Sequence, residues 1–451
     1  MRQGEPISKV CGIYDLYPLT EDGIDGGLRK KGIYKKNYAD APLITYITVV
    51  YNRANKLKRC VESILNQKYP NIEYIIIDGK SNDGTVDIIQ QFEDRIDYFI
   101  SEPDLGIYDA MNKGISLAHG QFICFMNSDD CCTGENAEYI KNVYLETQAD
   151  IICGQRKLTQ AGKTLKEIKY PRYAIKRSVF RYIQMFHQAT YAAKEVFEKV
   201  GVFRTEFSLL ADWIWESKAI DEEFKVLFVD EVLAEFDYDG VSRVGIYQRD
   251  KEWVKWARET FPDVAIRDIE FFIYTLDRGR HLLYSLKTEN KVAFRYQDNN
   301  AFLKTYYETI LCSLVELGTD ISNMNGDGKY DDIIRTAQKK FGVTGNESID
   351  ILQITENLKK KVEESMQLDK LNYLEKLEEL VKVKDMFNWA YLRAYRSKEK
   401  SVSGFRGDWV LRVGIYSLSK MCSRNVMLSR MYYPFMRFVW SHVFASKFVE
   451  N

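Results

Sequence analysis

Apolar residues first gather at Leu43, where LITYITVV (43–50) predicts a strand buried on both faces of a parallel sheet. Behind it Leu57, Cys60, Val61, Ile64 and Leu65 recur at helical spacing, and Pro70 closes the segment. IEYIII (72–77) is the next predicted strand, and Asp83-Gly84-Thr85 turns into a helix carrying Val86 and Ile89. DYFIS (97–101) follows as a third strand, and QFICFM (121–126) as a fourth after a helix around Ala110–Leu117. This alternation predicts a doubly wound α/β domain. Residues 150–240 are mixed: a strand at Ile151, a hairpin around Ala161-Gly162, a short strand and a helix ending at Gly201. An apolar helix, LLADWIWESKAI, and a strand-like FKVLFVDEVLAEF complete that stretch. Residues 1–41 are polar and Gly-rich and predict an N-terminal extension. From 247 to 451 the pattern is helical, with Leu368, Leu371, Leu374 and Val381 on one face of a predicted arm. The expected organisation is therefore 1–41, 42–246 and 247–451.

In such sheets ligands bind beyond the carboxyl ends of the strands. That rim carries Thr48 to Asn52, then Asp78, then Glu102 with Asp104, then Asn127 to Asp130. The adjacent carboxylates of Asp129 and Asp130 repel each other and need a cation or hydrogen-bond donors. Mg²⁺ or Mn²⁺, shared between carboxylates and substrate phosphates, would satisfy them; capping of the next turn is the other reading, and the pair alone leaves both open. The four histidines (119, 187, 281, 442) show no zinc-ligand spacing, and there is no GxxxxGK[ST] or GxGxxG. A bound diphosphate is thus expected to be neutralised by a metal and not by a glycine cradle.

Composition narrows the field. The chain has 451 residues, 45% hydrophobic and 29% charged, which predicts a globular protein of more than one domain. A net charge of −1 argues against nucleic acid as the partner. Eight cysteines without a CxxC spacing predict reduced thiols, the Cys131-Cys132 pair lying on a loop. With no signal-peptide pattern and no apolar run of ~18 residues, the expected location is cytoplasmic. Between 398 and 447, nine Lys/Arg face only Glu399 and Asp408, and the aromatic segment 431–448 ends the same stretch. It reads as an interfacial anchor on the inner face of the membrane, or as a packed helix or homodimer interface. NMNGDGKYDD (323–332) imitates a calcium loop, but Ile334 stands where a bidentate carboxylate is required, so a plain turn is expected.

Five segments carry a family resemblance: TVVYNR (48–53), SILNQKYPNIEYIIIDGKSNDGT (63–85), SEPDLGIYDAMNKGI (101–115), GQFICFMNSDD (120–130) and HQATYAAKEVFEKVGVF (187–203). Collinear over about 42–245, they resemble the family 2 glycosyltransferases of bacterial surface-polysaccharide synthesis. The resemblance implies a GT-A fold, a Rossmann-like doubly wound mixed sheet, followed here by a mostly helical C-terminal region. It implies inverting transfer from a nucleotide-diphosphate sugar, in the first instance UDP-linked, to a hydroxyl of a glycan or lipid-linked acceptor. By that resemblance Tyr51 lies against the base, Asp78 accepts from a base N–H, and Ser81 and Asp83 lie close by. Thr48, Val50, Asn52, Glu102, Asn112, Lys113, Asn127 and Ser128 complete the donor side. Asp129, with Asp130 second, takes the place of the metal-binding DxD, and His187 lies near the diphosphate or its metal.

Two departures stand out. Asn127 replaces the first aspartate of DxD, and Met111 replaces an arginine common in the family, leaving Lys113 as the expected cation. On the acceptor side Asp212 occupies the general-base position, in an apolar setting expected to raise its pKa. Trp213 and Gln188 are the expected acceptor contacts, and Arg243 would close over the leaving diphosphate. Two rivals stay open, a sugar-phosphate nucleotidyltransferase and a non-catalytic nucleotide-sugar-binding protein. The first wants a Gly-rich basic loop after the first strand, which TVVYNRANK lacks.

Overall fold

A computed structural model of the chain describes residues 12–160, 163–168, 185–222, 224–237 and 246–266, with isolated positions between 269 and 386. Arg243, the turn expected near 323–331, the helical face from Leu368 to Val381 and the basic aromatic segment 398–448 lie outside the described residues. The chain divides into two compact units, Met1–Arg172 with Gln184–Glu252, and Tyr173–Ile183 with Trp253–Asn451. In the second unit Phe302, Tyr307, Leu311, Leu314 and Val315 are buried and helical.

The first unit is built on one mixed sheet of ten strands. Its elements in chain order are β1 (Ile24–Gly26), β2 (Ile44–Val50), α1 (Ala54–Leu65), β3 (Ile72–Asp78), α2 (Thr85–Gln90), β4 (Tyr98–Ser101), α3 (Ile107–Leu117) and β5 (Phe122–Phe125). Then come β6 (Cys131–Cys132), α4 (Asn136–Thr147), β7 (Ile151–Gln160), β8 (Lys163–Ile168), β9 (Thr190–Ala193), α5 (Lys194–Val200), α6 (Ala211–Asp221) and β10 (Val226–Asp237); α7 (Ile246–Thr260) follows, its residues from Trp253 onward belonging to the second unit.

The order across the sheet is β1-β4-β3-β2-β5-β9-β7-β10-β6, with β8 hairpinned onto β7. Strands β4, β3, β2 and β5 run parallel and are buried along their whole lengths, as their unbroken apolar runs require. From β2 the chain steps to β3 and β4 on one side, then returns to lay β5 on the other. The crevice between the carboxyl ends of β2 and β5 is therefore the switch point at which such sheets take ligands. Asn52 and Asn127 to Asp130 leave the sheet there.

Residues 12–41 fasten onto the far edge: β1 pairs antiparallel with β4, and Arg29 is buried against Glu73. The vicinal cysteines differ from expectation. They form the short strand β6 against Ala234 and Glu235 of β10, and both are buried. Burial pushes the Cys131 thiol up to about 11 and that of Cys132 to about 12, so both stay protonated and inert.

Candidate active site

The donor side begins where two loops are zipped together. Asn52, in the left-handed region at φ 51°, donates its backbone N–H to Ser81 Oγ at 2.8 Å, and its Oδ1 accepts the Asn82 N–H at 3.0 Å. Asp83 accepts from Thr85 Oγ1 and from the Ala54 N–H at the start of α1. Those bonds, the Thr85 hydroxyl first, hold its carboxyl below the usual range. Asp83 therefore ties the starts of α1 and α2 together. Asp78 is fully buried at the end of β3, bonded by Ser81 Oγ at 2.5 Å and Ser101 Oγ at 2.6 Å. Above it the Tyr51 ring is 60% exposed. A Cβ on Gly79 would lie 2.6 Å from Asp104 Oδ2 and 3.4 Å from the Tyr51 ring, so bare backbone floors the space between them.

Several expected donor residues turn inward. Thr48 is fully buried with its hydroxyl 3.0 Å from Tyr74 OH, because it sits mid-strand on the core side of β2. Val50 is buried and lends its carbonyl to the Gly79 N–H. Glu102 and Lys113 form a buried ion pair at 2.6 Å, and Glu102 also accepts from the Thr20 N–H. Lys113 is thus committed to Glu102 and to the Pro103 carbonyl, and is not a free cation for phosphate. Asn112 makes paired bonds with the backbone of Phe203, Nδ2 to its carbonyl at 2.8 Å and Oδ1 from its N–H at 2.9 Å. It pins the loop that leads into α6.

Asp129 and Asp130 have separate fates. Asp130 is 1% exposed, accepting from Gln188 Nε2 at 2.9 Å and from the Asp237 N–H at 3.0 Å. Burial first, then the charge of Asp129, pushes its pKa up to about 7. It joins the loop after β5 to the end of β10, which removes it as a metal ligand; Gln188, 1% exposed, is removed with it as an acceptor contact. Ser128 between these groups is buried. Asp129 is half-buried, and no other described residue donates a hydrogen bond to it. Burial raises its pKa, Asp237 adds to that, and its own N–H, Lys56 and Arg53 oppose it.

No group of three or more His, Cys, Asp or Glu among the described residues could hold a metal ion. One free carboxylate together with the orphaned, buried Asn127 Oδ1 still suits a hard cation that takes its remaining ligands from water and phosphate.

His187 spans the crevice. Asn127 Nδ2 donates to its Nε2 at 3.0 Å, which leaves the ring proton on Nδ1, 3.3 Å from Asp212 Oδ2. With both ring nitrogens engaged, it is not placed as a metal ligand. Asp212 is the second residue of α6 and does not cap it. Its Oδ1 accepts from Tyr108 OH at 2.8 Å and from the Trp213 N–H at 2.8 Å. The expected raised pKa is overturned. Burial alone would push it up, but the hydrogen bond from His187, with those from Tyr108 and the Trp213 N–H, outweighs that and holds it below the ordinary carboxylate value. Behind the pair lies an apolar hollow lined by Phe125, Phe197, Phe203 and Trp215. Trp215 stacks on Phe197 with centroids 4.4 Å apart, and Trp213 is 3% exposed, so both indoles are core and neither is displayed to an acceptor.

Sequence reasoning missed Arg53, Lys56 and Asp237. The first two open α1 directly after the switch-point strand, which was the available signal. Asp237 carried none, since its place depends on the pairing of β10 with β7.

The model of the family described as Glycosyl transferase family 2 matches residues 45–204. An uncharacterized glycosyltransferase of Mycobacterium tuberculosis is 30% identical over 207 residues, 45% of this chain and 77% of that protein. The PGL/p-HBAD biosynthesis glycosyltransferase of Mycobacterium bovis is 26% identical over 223 residues, 48% of this chain and 84% of that one. Among solved structures, S. aureus TarS 1–349 in complex with UDP-GlcNAc matches over 80% of this chain and 92% of its own at 14% identity, with a TM-score of 0.42. The chain belongs to glycosyltransferase family 2.

Proposed function

We propose that the sheet domain transfers a sugar with inversion from a nucleotide-diphosphate sugar, UDP-linked, to a hydroxyl of a glycan or lipid-linked acceptor of the cell surface. The observation that carries this reading is the His187 bridge, which joins the donor-side Asn127 to the acceptor-side Asp212 across the switch point. The exposed Tyr51 ring offers the nucleobase a stacking face, with the Asp78–Ser81 pair as the polar floor beside it. Asn127 Oδ1, buried without a partner, is available to accept from a sugar or ribose hydroxyl. A divalent ion on Asp129, Mg²⁺ or Mn²⁺, would neutralise charge on the departing diphosphate.

Asp212 takes the proton of the attacking hydroxyl. Held ionised by His187 and Tyr108, it is a weak base. Weakness suffices where the anomeric centre already resembles an oxocarbenium ion and the hydroxyl becomes acidic as its bond forms. His187 keeps Oδ2 in place during that transfer.

The test is transfer and binding measured together. Asp212→Asn should lower kcat by about 10² or more while nucleoside diphosphate binding stays within twofold. His187→Ala should lower kcat with a smaller change in KM. Wild-type turnover by Asp212→Asn would remove Asp212 as the base. A protein that binds donors but turns over none of a panel of nucleotide sugars would be the non-catalytic binder.

A further inference from the structure

Glycosyl transfer breaks the anomeric C–O bond and leaves a nucleoside diphosphate with one negative charge more than the donor's two, and the cation expected to meet it, Lys113, is buried against Glu102. The structure offers another in the same crevice. Lys56, in the first turn of α1, places Nζ 2.8 Å from Asp237 Oδ2. The backbone N–H of Asp237 in turn bonds Asp130 Oδ1 at 3.0 Å, so the end of β10, the Asn127–Asp130 loop and the start of α1 meet at one point. Lys56 and Asp129 also act on each other electrostatically. The lysine side chain remains 31% exposed, against 11% for its aspartate. An ammonium has three donors, and Asp237 accepts one.

We propose that Lys56 is the protein's own cation for the donor diphosphate, held beside Asp129 by Asp237 and sharing its remaining donors with phosphate oxygens. This deepens the proposed glycosyl transfer and rests on it. Pairing with Asp237 keeps the lysine oriented. When the diphosphate enters, the ammonium supplies charge-assisted bonds that do not depend on a metal.

The competing view is that Lys56 merely fastens α1 to β10. That fastening already exists one turn further along, where Arg59 pairs with Glu235, itself bonded to Lys157. Arg59 therefore joins the same two elements and provides an internal control.

Calorimetric titration of the full chain with UDP, UMP and uridine, with Mn²⁺ and again with EDTA, separates these views. Lys56→Met should weaken UDP by about tenfold or more, leave uridine within twofold, and keep the deficit in EDTA. Lys56→Arg should recover most of the affinity, and Arg59→Met should bind UDP as wild type does. Equal UDP affinity of Lys56→Met and wild type overturns the assignment, as does an equal loss for UDP and uridine, which would mark a folding defect. If wild type binds none of UDP, GDP and dTDP, the glycosyl-transfer reading itself fails; if it binds one of them and Lys56→Met binds it equally, only the lysine assignment fails.

Discussion

Arg29 links residues outside the family match to the middle of the sheet, and replacing it by methionine tests how firmly. The guanidinium is 2% exposed. It bonds Glu73 Oε1 at 2.6 Å and the carbonyls of Leu117 at 2.8 Å and Asp15 at 3.1 Å. Arg29→Met removes all three and leaves the Glu73 carboxylate buried with only Thr45 Oγ1 and the His119 N–H. Breaking one side of a buried pair costs about 3–5 kcal/mol; the two surviving donors place the expected loss at about 3 kcal/mol, since they continue to solvate the charge. For a domain of this size that is a fall in Tm of roughly 6–12 °C.

The loss should depend on pH. His119 Nδ1 lies 3.6 Å from Glu73 Oε1, and its pKa is held down by burial first and by the Arg29 charge second. Without Arg29 the second of these causes is gone while burial stays, so the folded pKa of His119 moves up toward its unfolded value of about 6.5. A histidine whose folded pKa is depressed costs the fold stability as pH falls below the unfolded value, and that cost shrinks as the depression is relieved. Arg29→Met should therefore be less damaging at pH 5.5 than at pH 8. Urea denaturation followed by circular dichroism measures this, with Arg29→Met/Glu73→Gln recovering about 2 kcal/mol over the single variant because the stranded charge is gone. A single variant within about 1 kcal/mol of wild type at pH 8 would refute the claim that this pair holds residues 12–41 to the sheet.

Two further outcomes follow from close contacts. Asn112→Ala leaves the Phe203 N–H and carbonyl without their buried partners, at about 1–3 kcal/mol, and should lower kcat more than it weakens nucleotide binding, because Phe203 precedes α6 and Asp212. Gly79→Ala puts a methyl group 2.6 Å from Asp104 Oδ2 and against Tyr51; nucleoside binding should fall about tenfold while Tm moves by only a few degrees, since the displaced groups are on the rim.

The elements legible in the sequence were those with an uninterrupted apolar signal. Strands β2, β3, β4 and β5 and helices α1 and α6 fall within a few residues of where their patterns place them. Three elements had no such signal. β1 is the tripeptide IDG, β6 is two cysteines, and α4 buries only Asn136, Ala137 and Ile140. Their positions are set by what they pair with and not by their own alternation. The site divides in the same way. Which residue types reach the rim followed from strand order, but which of them face a ligand depends on partners remote in sequence. Asp130 is claimed by Gln188 58 residues away, Asn112 by Phe203 91 residues away, and Asp237 holds Lys56 across 181 residues.

Those partnerships explain how one crevice can carry so many carboxylates without pushing itself apart. Asp78 is solvated by the hydroxyls of Ser81 and Ser101, Asp83 by Thr85 and the start of α1, and Glu102 by Lys113. Asp130 lies between Gln188 and the Asp237 N–H, and Asp212 between His187 and Tyr108. Each is satisfied within the protein, so adding a negatively charged donor disturbs none of them. Asp129 is the exception: half-buried, flanked by Asp130, and without a donor from any other described residue. A phosphate chain cannot approach an unpaired carboxylate unless positive charge arrives with it or already stands beside it. Asp129 and Lys56 therefore belong to one requirement, and loss of the lysine should make nucleotide binding more dependent on added metal than it is in wild type.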